Sequence, residues 1–363
     1  LTSPRGIDLS SNDYLGLAQD SRLKDAMIEA VEREGVGSTG SRLLRGERDC
    51  FREVEEKFAA WKGTERSLYF ATGYQANIGI MQAFLEKDDI VFSDEQNHAS
   101  LIDGIRLAKC KKHIYSHLAV DTLEDTLSNT ETRGQKFLVT ESLFSMDGDI
   151  APLKTYAGIC SRTNTNLIVD EAHAVGIYGK TGSGLIEEFG IEDNVFLSIN
   201  TAGKALGVSG AFAAGSDLAI DYLINKCRSF VFSTAPIPAV ADTLKVAIEI
   251  IENEKERRED LRALCRTFSG LLRENGFAVP KKETQIVPII IGDSSRAVAI
   301  AEKMQAFGFD VRAIRPPTVA EGTSRLRVTL NLGLDREILT EFVEKLKQEV
   351  IEAQNGELAI GAD

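Results

Sequence analysis

From residue 67 to residue 214, short runs rich in β-branched and aromatic residues alternate with amphipathic stretches of helical period. The runs lie at 67–70, 90–92, 113–115, 137–140, 167–170, 196–199 and 210–214, and helical stretches such as 74–85, 101–108 and 153–162 lie between them. Such alternation leaves a chain few options: the strands join one mostly parallel sheet and the helices cover its faces. The expected class is therefore α/β, with a mostly parallel seven-stranded sheet flanked by helices. In such sheets ligands bind beyond the carboxyl ends of the strands, so the acids and small residues that follow the runs are where chemistry is expected.

A highly charged helical segment, from 239 to about 273, comes next, and its run of charges at 252–259 reads as a solvated helix face with i,i+4 pairs. A strand at 286–291, a helix at 297–307, strands at 311–313 and 326–329 and a helix at 336–353 then suit a smaller α+β lobe. The expected organisation is an N-terminal segment (1–35) joining the small lobe, a large α/β domain (36–260) and the small C-terminal domain (261–363), with 355–363 a frayed tail. No internal repeat or low-complexity linker interrupts this order.

Composition narrows the function. A net charge of −13 over 363 residues argues against a broad nucleic-acid footprint and requires any anionic substrate to be met by a local basic pocket. No apolar run is long enough to span a bilayer, and the first residues lack the pattern of a signal peptide. The five cysteines (Cys50, Cys110, Cys160, Cys227, Cys265) are scattered without metal-ligand spacing, which reads as reduced thiols in a cytoplasmic protein with no metal site.

The chemistry concentrates between residues 167 and 207. An apolar strand ends in Asp170, His173 follows, and Lys204 sits among small residues in Thr201-Ala202-Gly203-Lys204-Ala205-Leu206-Gly207. Alone, Asp170 reads as a helix cap and Lys204 as a surface lysine. Together an acid at a strand end, an imidazole and an amine between glycines are the parts that hold pyridoxal phosphate: the acid pairs with the pyridinium nitrogen and the lysine forms the Schiff base. Ala71-Thr72-Gly73-Tyr74-Gln75-Ala76-Asn77 follows a strand and opens a helix, where free N–H groups can meet a phosphate. His98, at another strand-to-helix junction, could stack on a flat ring or merely start the helix. Arg325 and Arg327 point to one face of a strand and suit a bidentate grip on a carboxylate, or else a surface ladder of charge. His113 and His117 read as structural.

These residues resemble the α-oxoamine synthases, fold-type I pyridoxal-phosphate enzymes of the aspartate aminotransferase-like class that condense an amino acid with an acyl thioester and release carbon dioxide. The likeness rests on Asn12-Asp13-Tyr14-Leu15-Gly16, Asn97-His98-Ala99-Ser100-Leu101, Phe144-Ser145-Met146-Asp147-Gly148-Asp149, Asp170-Glu171-Ala172-His173 and Gly203-Lys204-Ala205-Leu206-Gly207, and runs from about Ile7 to Val350. It implies an acyltransferase in which Lys204 carries the cofactor and moves the proton, and Asp170 binds the ring nitrogen. His173 and Ser145 meet the phenolic oxygen, and His98 stacks on the ring. It also implies that Gly73, Tyr74 and Thr201 hold the phosphate, that Thr234 reaches the phosphate of a partner subunit in a homodimer with shared active sites, that Arg327 grips the substrate carboxylate, and that Asn12 and Thr318 lie near substrate.

The stretch Ile314-Arg315-Pro316-Pro317-Thr318-Val319, with Gly322 to Leu330, is most similar to the branch that joins L-alanine to a pimeloyl thioester, carried by coenzyme A or an acyl carrier protein, in biotin biosynthesis. The alternatives are branches using glycine (2-amino-3-ketobutyrate CoA ligase) or serine (serine palmitoyltransferase). A non-catalytic cofactor sensor on the same scaffold is disfavoured, because no DNA-binding extension accompanies a complete set of reactive residues. The sequence departs from the family at Phe51, where a His is common, and at Ala202, where a bulky residue is usual and whose loss is expected to loosen the wall beside the lysine. Family members also have a further N-terminal helix with an arginine for the acyl substrate, and the sequence here starts after it.

Overall fold

A computed structural model describes residues 3–360, with side chains to residue 353. The seven runs become one sheet: β1 (Arg66–Phe70), β2 (Ile90–Asp94), β3 (Lys111–Tyr115), β4 (Lys136–Glu141), β5 (Thr165–Asp170), β6 (Leu197–Thr201) and β7 (Ala211–Gly215). Their order is β1-β7-β6-β5-β4-β2-β3. Only β7 runs against its neighbours, pairing antiparallel with β1 and β6; every other adjacent pair is parallel. Parallel strands covered on both faces read as unbroken apolar runs, and Leu167, Ile168 and Val169 of β5 are all fully buried. The edge strand β3 instead exposes Lys111 and Lys112, charges that discourage pairing with another chain.

The chain divides into two compact units, one of Leu17–Phe144 with Ile150–Lys255, the other of Leu1–Gly16, Ser145–Asp149 and Glu256–Asp363. In the larger, helix α1 (Ser21–Glu34) caps with Asp20 and buries Leu23 and Ala30. Helix α2 (Asp49–Lys62) places Phe58 on Phe212 of β7, with ring centroids 4.0 Å apart and planes 6° from parallel. Helix α3 (Gly73–Phe84) puts Ala76, Ile80 and Met81 into the cluster formed with Val91, Val139 and Ile199. Helix α4 (Ala99–Ala108) adds Leu101 and Ile105 to that cluster.

In the smaller unit a three-stranded antiparallel sheet is formed by β8 (Ile286–Gly292), β9 (Arg312–Ile314) and β10 (Ser324–Thr329), in the order β9-β10-β8. Ile7–Asp8 pairs in parallel with Phe309–Asp310. Phe309, Phe268 and Phe342 pack together, with centroids 5.4 and 6.0 Å from Phe342. The last helix runs Arg336–Ile360, so it takes in most of the tail expected at 355–363, whose end lies outside the described residues.

Two boundaries differ from expectation. The N-terminal segment joins the smaller unit only as far as Gly16. Helix α1 instead belongs with helix α5 (Pro238–Asn253), to which Arg33 is tied through Asp242 and Met27 through Thr243. The helical segment expected from 239 to about 273 is two helices. Glu254 leaves helical geometry (φ −107°, ψ 64°), its carboxylate pairs with Arg22 at 2.5 Å, and a second helix, Lys255–Glu274, starts next. Because Phe212 is fully buried in β7, Phe212→Ala should lower unfolding free energy by about 3–5 kcal/mol in urea titrations. A loss below about 1 kcal/mol would show that the ring stack does not anchor α2 to the sheet.

Candidate active site

Strands β4, β5 and β6 run in parallel and end at Glu141, Asp170 and Thr201, so three polar residues stand at one end of the sheet. Asp170 is 4% exposed. Its Oδ2 accepts from the Asn77 amide at 2.8 Å and its Oδ1 from the Ala172 N–H at 2.9 Å. The carboxylate thus closes a turn, as a cap would, and still keeps acceptor capacity. The same Asn77 nitrogen donates to Ser100 Oγ at 2.8 Å, and that oxygen lies 2.7 Å from His98 Nδ1. A continuous hydrogen-bonded chain therefore joins Asp170 to His98 through Asn77 and Ser100.

His98 starts α4, and its Nδ1 also accepts from the Ser100 N–H at 3.3 Å. Partial desolvation of the ring, aided by the charge of Lys204 and opposed by Asp170, holds its pKa below the ordinary histidine range.

After β6 the chain turns back through residues 202–210. Ala202 N–H donates to Gly210 O at 2.9 Å, Val208 N–H to Ala202 O at 3.1 Å and Gly207 N–H to Lys204 O at 2.8 Å. Gly207, at φ +69°, lies so close to Ala18 that a Cβ would stand 2.5 Å from its nitrogen. The tight turn presents Lys204, whose Nζ is 2.8 Å from His173 Nε2. A hydrogen bond between these two nitrogens needs one of them to carry a lone pair, on the ring or on the amine, and the ring tautomer sets which one donates. Next to Lys204 in the chain, a Cβ on Gly203 would meet nothing within 4 Å.

The start of α3 is also built tightly. The Thr72 hydroxyl caps it by accepting from Gln75 N–H at 3.1 Å, leaving neighbouring N–H groups for another acceptor. Any Cβ on Gly73 would stand 2.5 Å from Thr201 Cγ2, so Gly73, Tyr74 and Thr201 come together. Thr201 also reaches Ala172 O through its hydroxyl at 3.3 Å. Thr234 is exposed.

Glu141, buried at the end of β4 and paired in register with Asp170, was not expected from the sequence. Burial, reinforced by the Asp170 charge, pushes its carboxyl up to about 8. Asn77 and Ser100 were not singled out either. Asn77 occupies an inward position of α3 between Ala76 and Ile80, where a helical pattern calls for an apolar residue.

In the smaller unit, Arg327 is buried and donates from Nε to Ser145 O at 2.6 Å, from Nη1 to Thr329 Oγ1 at 2.9 Å and from Nη2 to Asn12 Oδ1 at 3.2 Å. Tyr14 holds the same Asn12 oxygen at 3.1 Å. Asn12, Ser145 and Arg327 thus converge. Arg325 is buried too, but its guanidinium is taken by Asp147, so the two arginines are neither a surface ladder nor an equal fork. Thr318 is exposed, in a turn in which its N–H donates to Arg315 O at 3.0 Å. Phe51 is fully buried beside Tyr69, with centroids 6.2 Å apart. Ala202 is fully buried as well, inside the tight turn.

Within the larger unit an acid, an amine, an imidazole and a helix N-terminus are therefore gathered at one end of the sheet. That set could hold a flat heteroaromatic ring bearing a nitrogen, an aldehyde and a phosphate. Glu141 adds a pH dependence. Between pH 4.5 and about 8 the folded chain keeps a proton on Glu141 that the unfolded chain has released, so stability falls as pH rises through this window. Glu141→Gln should flatten that decline in melting temperature; parallel wild-type and variant curves would mean that Glu141 is ionised in the fold.

Known proteins resemble the chain over most of its length. The aminotransferase class I and II family model matches residues 4–346. The 8-amino-7-oxononanoate synthase of Anaeromyxobacter dehalogenans is 44% identical over 341 residues, covering 94% of this chain and 85% of its own. A solved 8-amino-7-oxononanoate synthase from Francisella tularensis superposes with a TM-score of 0.84 at 29% identity, over 96% of this chain and 99% of its own. Serine palmitoyltransferase from S. paucimobilis, solved with a bound PLP–myriocin aldimine, superposes at 0.91 with 28% identity, over 95% and 87%. The chain is a member of the class I and II aminotransferase family, in the branch that includes the 8-amino-7-oxononanoate synthases.

Proposed function

We propose that the chain is a pyridoxal-phosphate-dependent acyltransferase that condenses L-alanine with a pimeloyl thioester, giving 8-amino-7-oxononanoate, carbon dioxide and free thiol, a step of biotin biosynthesis. Two features support the reading: the 44% identity to a relative of that name, and the 2.8 Å approach of Lys204 to His173 in the unit that holds Asp170. The observation that carries it is the Lys204–His173 approach.

The donor set fits the cofactor. Asp170, already fixed by Asn77, would accept from the ring N–H. Lys204 would supply the amine that takes up the aldehyde, and His173 with Ser145 would donate to the phenolic oxygen. The N–H groups of Gly73 and Tyr74, with the Thr201 hydroxyl, would hold the phosphate, and Thr234 would reach the phosphate of a second subunit in a homodimer. When bound, pyridoxal phosphate supplies an electron sink that stabilises negative charge at the amino-acid α-carbon.

The chain's residues do the rest. Arg327, with Asn12, would grip the alanine carboxylate. Lys204 then removes the α-proton as general base. A carbon–carbon bond forms to the acyl carbonyl as the carbon–sulfur bond breaks, and carbon dioxide leaves. Lys204 and His98 assist return of a proton to the α-carbon. Thr318 would lie near substrate, and the acyl group would be carried either by coenzyme A or by a carrier protein.

Incubation with alanine and pimeloyl-CoA should yield 8-amino-7-oxononanoate by mass spectrometry, with glycine and serine poor substitutes. Product from glycine or serine alone would move the chain to another α-oxoamine synthase branch, for which the serine palmitoyltransferase superposition is the supporting observation. Lys204→Ala should remove turnover and the visible absorbance of the bound cofactor. Because His98 is held below 6.5, the acid limb of kcat/KM should fall below that pH. A limb at or above 6.5 that disappears in His98→Gln would assign the ring an ordinary pKa.

A further inference from the structure

We infer that the buried Lys62–Glu171 ion pair is a positioning device for His173 and, through it, for the amine of Lys204; the inference rests on the proposed cofactor site. Neither residue contributes to the chemistry described above. Lys62 ends α2, and its Nζ stands 2.6 Å from Glu171 Oε2 and donates to Ser183 O at 2.6 Å. The two side chains are 1% and 0% exposed. The other carboxylate oxygen of Glu171 accepts from Leu185 N–H at 2.7 Å and Ile186 N–H at 3.1 Å.

Glu171 lies between Asp170 and His173, and its backbone forms the turn that carries the imidazole. Its N–H donates to Ile199 O on β6 at 2.7 Å, and its carbonyl accepts from Ala174 and Val175 at 2.9 Å each. One residue therefore builds the turn with its main chain and anchors residues 183–186 with its side chain. Gly184 is shaped around it: at φ +133°, a Cβ there would stand 2.2 Å from Glu171 Oε2. A pair this deeply buried is no more stabilising than well-packed apolar residues of the same size. Apolar residues could not, however, satisfy the Leu185 and Ile186 N–H groups while holding the turn to α2. What the pair adds is the direction in which His173 points.

The test uses holoenzyme of wild type, the discharged pair Lys62→Met/Glu171→Gln, and Glu171→Asp, which keeps the charge but withdraws it by one methylene. Four readouts are compared: melting temperature, which reports folding; the pH midpoint of the cofactor's visible band; the lysine trapped by borohydride reduction with pyridoxal phosphate, identified by peptide mapping; and kcat with KM. The expected result is trapping at Lys204 in every protein, with the band midpoint moved by about 0.5 pH unit or more and kcat lowered about tenfold at nearly unchanged KM. If the discharged pair does not fold, Glu171→Asp decides by the same shift. A folded variant with wild-type midpoint and kcat would overturn the inference alone. Trapping of wild type at a lysine other than Lys204 would overturn the proposed site and this inference with it.

Discussion

The buried carboxylate of Asp170 is the constraint around which the larger unit is arranged. A charge at the end of an apolar strand is costly unless hydrogen-bonded, and here the donors are the Ala172 N–H and the Asn77 amide. The second of these fixes α3 in rotation, because Asn77 must face the sheet. The same nitrogen then engages Ser100, so α4 is held as well. One amide thus ties a strand end and two helix starts to a single acid, and the candidate site inherits its shape from that tie.

Glu141 extends this logic. Two carboxyl groups opposite each other at adjacent strand ends do not ionise independently, and burial adds to the cost. The fold keeps Glu141 protonated well above the ordinary carboxyl range, next to an Asp170 that accepts hydrogen bonds from Asn77 and Ala172.

Much of the fold was legible in the chain because parallel strands covered on both faces leave continuous apolar runs, and each run at 67–214 became a strand. The acid at 170, the imidazole at 173 and the amine at 204 were legible as chemistry, and the coordinates bring Lys204 and His173 into contact. Asn77 and Ser100 were not, because an amide on the inner face of a helix looks like an interruption of the pattern until its acceptor is known. The two arginines of β10 were correctly placed on one face, but only the third dimension divides them, one to Asp147 and one toward Asn12. The unit boundary at Gly16 was missed because α1 buries just Leu23 and Ala30, too little for periodicity to reveal its partner.

The order of the central sheet bears on how the polypeptide reaches this shape. Within this sheet β1, the first strand in chain order, has β7, the last, as its neighbour, and β7 lies between β1 and β6. During synthesis β1 must wait, without its ladder, until residue 215 has left the ribosome. Such long-range closure slows folding and exposes an unpaired apolar strand to other chains in the meantime. A nascent chain stalled short of that residue would be a natural client for chaperones that bind extended apolar segments.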